Sequence, residues 1–176
     1  GFRGRALRAG DALSLGAARH GPAPGPWRVD GRLLPAYASA VVLRVIPGAE
    51  AGGFGDAWRT ADFAVTARSD RMGLRLSGAP LGRAAARELR SAPVAPGTVQ
   101  VPPDGQPILL LADAQTIGGY PKLAHVIGAD LPLAAQLRPG DTVRFSEVTL
   151  EEAHRLWRER ERGLALLGEG LAQKSR

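Results

Sequence analysis

Apolar residues in this chain come in short runs of four to seven positions, several of them alternating with polar residues, and turn formers separate the runs. Such runs are too brief for helices, which need about ten residues or more, and they suit strands. Residues 40–46 form the first run, ending at Pro47 and Gly48. Residues 63–67, 73–77, 98–101, 108–112, 123–127 and 142–148 continue the series. Short strands set between turn signals predict a mainly β fold, a barrel or a sandwich. Helices are few. Residues 81–89 and 131–137 can each form a short one. Near the end, Thr149 and Glu152 fit a capping box: the threonine oxygen takes an orphan N–H and the glutamate reaches back. Leu150, Ala153, Trp157, Leu164, Leu167 and Leu171 then recur at helical spacing. The alternating charges of residues 155–162 read as the solvated face of that helix.

With 176 residues, 44% of them hydrophobic, the chain can bury one core of ordinary size. It has no cysteine, which removes disulfides and thiolate metal sites. His20, His125 and His154 lie far apart without ligand spacing, so no metal site is expected. His125 sits among apolar neighbours and reads as a side chain on a strand face. The net charge of +6 is carried almost wholly by arginine, since Lys122 and Lys174 are the two lysines. The arginines are scattered and no aromatic residues interleave with them, so nucleic acid is not an expected partner. No apolar run approaches the roughly 18 residues of a membrane span, and no signal peptide is visible. The default compartment is the cytoplasm. The chain opens on Gly1 rather than methionine, so its natural start is expected to be missing or processed.

Two phrases nearly repeat, Leu7-Arg-Ala-Gly-Asp11 and Leu137-Arg-Pro-Gly-Asp141. Each reads as a turn feeding a strand. The phrase is either a common strand opening or the close of a structural half. In the second case the chain is the C-terminal part of a protein built from two similar halves. Residues 20–26, rich in proline and glycine, read as a linker or long loop. The expected division is 1–37 as the end of a preceding half plus linker, 38–148 as the barrel, and 149–176 as the C-terminal helix.

Three clusters carry more polar equipment than turns require. The first is Asp113-Ala-Gln115-Thr116-Ile-Gly118-Gly119-Tyr120-Pro121-Lys122. A Gly-Gly turn lets backbone N–H groups approach a ligand, and Thr116 and Lys122 could help them hold an anion or a polarised carbonyl. Equally, it is a tight turn whose polar residues face water. It matches neither a P-loop nor a dinucleotide fingerprint. The second cluster is Ser69-Asp70-Arg71-Met72-Gly73, where Arg71 could present its planar fork to a carboxylate or simply pair with a neighbouring one. The third surrounds Gln100, a carboxamide inside an alternating strand that must satisfy both ends of its amide. The Pro102-Pro-Asp-Gly105 turn beside it reads as architecture. No nucleophile elbow, serine–histidine–aspartate arrangement or acid–base carboxylate pair is present. The chain is better equipped to bind and polarise than to attack.

In order, Leu43-Arg-Val-Ile-Pro-Gly48, Ser69-Asp-Arg-Met-Gly73, Gly97-Thr-Val-Gln-Val-Pro-Pro-Asp-Gly-Gln-Pro-Ile108, the 113–122 segment and Leu137-Arg-Pro-Gly-Asp141 resemble the C-terminal half of one bacterial family. It is the family of the 5-oxoprolinase C subunit, also called allophanate hydrolase subunit 2, KipA-like or biotin-dependent carboxyltransferase. The resemblance covers about residues 1 to 148. It implies a mainly β, cyclophilin-like β-barrel with few short helices and a C-terminal helix. It implies a component of a 5-oxoprolinase, in which the assembled complex uses ATP to open the 5-oxoproline lactam to glutamate and this chain binds no cofactor itself. Implied partners are the family's missing N-terminal half, a B subunit or Kip-inhibitor-like protein, and an A subunit. Two alternatives accompany it: a domain that moves a carboxyl group from carboxybiotin to urea, and a regulatory antagonist of a sensor-kinase inhibitor. On this reading Lys122, Tyr120 and Gln115 are the candidate catalytic residues. Arg71, Gln100, Thr116, Gly118, Gly119, Ser69 and Asp113 are candidates for binding substrate. Leu74 stands where relatives often have tyrosine, which would take a hydroxyl out of the site.

Overall fold

The computed structural model describes residues 3–17, 28–83 and 89–174. The strands are β1 (Ala40–Pro47), β2 (Asp62–Val65), β3 (Gly73–Ser77), β4 (Ala92–Pro93), β5 (Thr98–Gln100), β6 (Ile108–Leu110), β7 (Ile117–Gly118), β8 (Lys122–Val126) and β9 (Thr142–Glu147). The α-helices are α1 (Leu131–Ala134) and α2 (Leu150–Lys174), and single 3-10 turns lie at Gly31–Leu33, Ala51–Phe54 and Ala57–Arg59. Seven strands close a barrel in the order β1-β8-β5-β6-β3-β2-β9, and β4 with β7 makes a separate two-stranded ribbon. The closing pair, β1 with β9, is parallel, in register from Ala40↔Thr142 to Val45↔Glu147.

Alternation decides which side chains enter the barrel. Val41, Leu43 and Val45 of β1 point inward, as do Phe63 and Val65 of β2, Leu74 and Leu76 of β3, and Val143 and Phe145 of β9. Phe63 and Phe145 meet with centroids 5.8 Å apart and planes tilted by 44°, an arrangement that aromatic quadrupoles favour. Trp58 on its 3-10 turn is fully buried in the same core. Leu74 is therefore a core residue, 3% exposed. That corrects the expectation that its identity alters a polar site: the position faces inward.

The barrel wall carries one irregularity. β5 and β8 slip register between Val99 and Gln100, where Val99 faces Ala124 but Gln100 faces Lys122. The extra residue in β8 sends two neighbours, Leu123 and Ala124, into the core together. Lys122 and His125 are left on the outside. A β-bulge re-aims side chains in this way.

The near-repeat is structural at its turns. Asp141 N–H donates to the Arg138 carbonyl (3.0 Å) and Asp141 Oδ2 accepts from the Arg138 N–H (2.7 Å). Asp11 and Arg8 make the same two bonds at 3.1 and 2.7 Å. Gly10 and Gly140 both take positive φ, +90° and +96°. The second copy feeds β9. The first feeds no strand, and Leu13 and Leu15 stand exposed.

Of the expected helices, 131–137 shortens to α1, and 81–89 falls partly outside the described residues. The 20–26 stretch lies wholly outside them. The C-terminal helix forms with half of its capping box: Thr149 Oγ1 accepts from the Glu152 N–H (3.1 Å), while the Glu152 carboxylate turns to Arg155. Trp157 lies against Gly128, where an added Cβ would sit 2.8 Å from the indole, and Leu33 lies against Gly163. Among the described residues no helix is long and apolar enough to cross a membrane.

Asp130 ties α1 to the barrel wall. Its side chain is 1% exposed and leaves its own helix uncapped. One carboxylate oxygen accepts from the Arg44 backbone N–H (2.8 Å) and Nε (2.9 Å), and the other from Arg44 Nη2.

Candidate functional site

Registers place Arg75, Ile108, Gln100 and Lys122 in one row across β3, β6, β5 and β8. Because Leu74, Leu76 and Leu109 point inward, this row lies on the outer wall. Over its β3–β6–β5 part opens a cleft of about 530 Å³. Its polar lining includes Arg68, Arg75, Gln100, Gln106, Gln115 and Tyr120. The 102–107 loop forms one side, turning through Gly105 at φ +74° with its N–H on the Pro102 carbonyl. Gln106 braces that loop: Oε1 accepts from the Gly78 N–H (2.9 Å) and Nε2 donates to the Gly78 carbonyl (3.2 Å).

Gln100 is the floor. It is 1% exposed yet lines the cleft. Its Nε2 donates to the Tyr120 carbonyl at 3.3 Å, and among the described residues no donor reaches Oε1. The free oxygen opens to the cleft, where water or a ligand can donate to it; among the described residues the buried side-chain polar atom left without a partner is Trp58 Nε1. Behind Gln100, Gly118 packs so closely that a Cβ there would lie 2.7 Å from Nε2 and 3.2 Å from Oε1. Neither Gly118 nor Gly119 has positive φ. The Gly-Gly pair thus makes a close approach, and at Gly118 the thing approached is the Gln100 carboxamide. Gly118 pairs with Ala92 in the β4–β7 ribbon, and Gly119 lies nearest Ser91 and Leu89.

The structure brings Gln100, Gln115 and Tyr120 together. It puts Ser69, Arg71 and Asp113 into supporting turns. Ser69 Oγ accepts from the Arg75 N–H (3.0 Å), and Asp70 Oδ1 from those of Met72 (2.8 Å) and Gly73 (3.2 Å). Arg71 is 92% exposed and pairs with Asp113 at 3.2 Å, outside the cleft lining. Thr116 is exposed, its carbonyl accepting from the Val94 N–H (2.9 Å). Lys122 continues the row beside Gln100 but does not line the cleft. Its N–H donates to Glu50 Oε2 at 2.9 Å.

Sequence reasoning missed Arg68 and Arg75. The signal for Arg75 was available: between inward Leu74 and Leu76, it must face out. Among the described residues no group of His, Cys, Asp and Glu is placed to hold a metal ion.

His125 sits half-buried beyond Lys122, its Nδ1 3.3 Å from Thr98 Oγ1. Burial pushes its pKa down, nearby Lys122 adds to that, and Glu50 opposes it. The unfolded chain therefore binds this proton more readily. Its stabilising contribution is full above the ordinary histidine value of about 6.5 and fades as pH falls. Urea midpoints should drop more between pH 7.5 and pH 5.5 for the unsubstituted chain than for His125→Gln; equal drops would assign the loss to other groups.

The fold and cleft define a β-barrel domain with a carboxamide-floored recess on its wall. The carboxyltransferase domain family, subdomain A and B, matches residues 1–147, and the chain belongs to that family. It is similar to the 5-oxoprolinase C subunit of Haemophilus influenzae, 41% identical over 92% of this chain and 51% of the relative. It is also similar to the 5-oxoprolinase C subunit of Escherichia coli, 38% identical over 87% of this chain and 49% of the relative. The chain thus spans about half the length of these curated relatives. Among solved structures, the urea amidolyase of K. lactis shares the fold with a TM-score of 0.71, at 22% identity over 76% of this chain and 9% of that one.

Proposed function

We propose that this chain is the amide-binding part of a C-type subunit of an ATP-dependent 5-oxoprolinase. The observation that carries the reading is Gln100, a carboxamide held at the floor of a cleft by its Nε2 while its Oε1 takes no donor from the described residues and opens to the cleft. A lactam offers an N–H donor and a carbonyl acceptor on one edge. Gln100 Oε1 accepts the first, and the hydroxyl of Tyr120 or the carboxamide of Gln115 donates to the second. Donors aimed at a carbonyl stabilise the negative charge that develops as its C–N bond opens. The site holds and polarises. The A and B subunits use ATP in the assembled complex, in the cytoplasm, and among the described residues no serine, threonine, cysteine, lysine or histidine lines the cleft.

The test is turnover of 5-oxoproline by the full-length C subunit reconstituted with its partners. Tyr120→Phe is expected to lower kcat/KM about tenfold. Gln100→Leu should lower it about a hundredfold, the scale of losing one preorganised polar contact. Full turnover by both variants would end this assignment. The family's name supports a second reading, transfer of a carboxyl group, for which we propose carboxybiotin as the donor and an amide such as urea as the acceptor. There the cleft takes the acceptor amide, and carboxylated urea replaces glutamate as the product.

A further inference from the structure

Two guanidinium groups in the cleft are unspent. Arg44, Arg59, Arg71, Arg144 and Arg155 each pair with a carboxylate. Arg68 and Arg75 line the cleft, and among the described residues neither lies within ion-pair distance of any carboxylate. Two carboxylates share the cleft, Asp70 and Asp104, but each has an oxygen held by its own turn. Asp70 accepts from Met72 and Gly73, and Asp104 from the Gln106 N–H at 3.0 Å. Arg75 stands two strands from Gln100, with Ile108 between them. At about 4.8 Å per strand their backbones are roughly 10 Å apart. That span suits a small molecule with an amide at one end and an anion at the other. The guanidinium fork matches a carboxylate bidentately, which no lysine at the same place would do.

We propose that Arg68 and Arg75 form a carboxylate clamp that makes this site select amides bearing a carboxylate over neutral ones. The inference rests on Gln100 holding the amide. It narrows the substrate class to small anionic amides and lactams, in which one molecule bridges the Gln100 carboxamide and the guanidinium pair.

The experiment uses the full-length C subunit in the reconstituted complex, with 5-oxoproline as substrate and neutral 2-pyrrolidinone as competitor. The unsubstituted complex should prefer 5-oxoproline strongly. Arg75→Gln should raise KM for 5-oxoproline at least about tenfold, and the Arg68→Gln, Arg75→Gln double variant about a hundredfold, with kcat changed less than about threefold. Inhibition by 2-pyrrolidinone should stay within about twofold, so the preference collapses. Arg75→Lys should recover part of it. An unchanged KM in the double variant, or a parallel weakening of 2-pyrrolidinone, overturns the clamp. So does an unsubstituted complex with no preference between the two compounds. Gln100→Leu and Tyr120→Phe, run alongside, separate the two ideas. If they cripple turnover while the arginine variants do not, the clamp alone falls; if they too are silent, the amide site falls with it.

Discussion

Replacing Asp130 by alanine is expected to cost about 3 kcal/mol, the lower end for breaking a buried ion pair. The carboxylate is buried and takes three donors from one residue, Arg44. One of these is a backbone N–H on β1, so the loss strands a main-chain donor as well as a guanidinium. Arg44 keeps some access to water, its side chain being 37% exposed, which holds the cost at the low end of the range. Urea denaturation should show a lower midpoint with an unchanged slope. The exposed network of Arg155 with Glu152 and Glu159 is the internal contrast. Arg155→Ala should lower the midpoint far less, because solvent screens such pairs. If the two variants lose equal stability, burial is not what gives the Asp130 pair its weight.

Gly48→Ala is expected to be comparably severe for a different reason. An added Cβ would lie 2.2 Å from the Lys122 carbonyl oxygen and 2.7 Å from its carbon. Both are backbone atoms, and a Cβ has no rotamer with which to escape. β1 and β8 would have to part where the Gly48 N–H donates to the Leu123 carbonyl at 2.8 Å. Overpacking of this kind costs about 3 kcal/mol. For a domain of this size that is a fall of about 10 °C in Tm. Gly52→Ala, which meets nothing within 4 Å, is the control and should unfold near the unsubstituted temperature.

The barrel was legible because its strands obey a local rule. Inward leucines, valines and phenylalanines repeat every second residue, and proline or glycine stops them. β4 and β7 escaped that rule, since two residues cannot show a period and one of β4's is Pro93. Gln100 stood out because a carboxamide interrupts a run of strand formers. Arg71 drew attention for the same kind of reason, yet its partner Asp113 comes from a segment 42 residues on (113 − 71), beyond the reach of any local pattern. The bulge was hidden too. Leu123 and Ala124 are adjacent apolar residues that fit either face, and only pairing with β5 reveals that both are inside. Without it, Lys122 cannot be aimed from sequence.

The parallel seam has a consequence for how the molecule is made. The first barrel strand, residues 40–47, finds its two neighbours only in residues 122–126 and 142–147. A ribosome adding about 5–20 residues per second takes several seconds to supply them. Throughout that delay the nascent strand carries two bare edges, and the cylinder can be sealed only after its last stave has emerged.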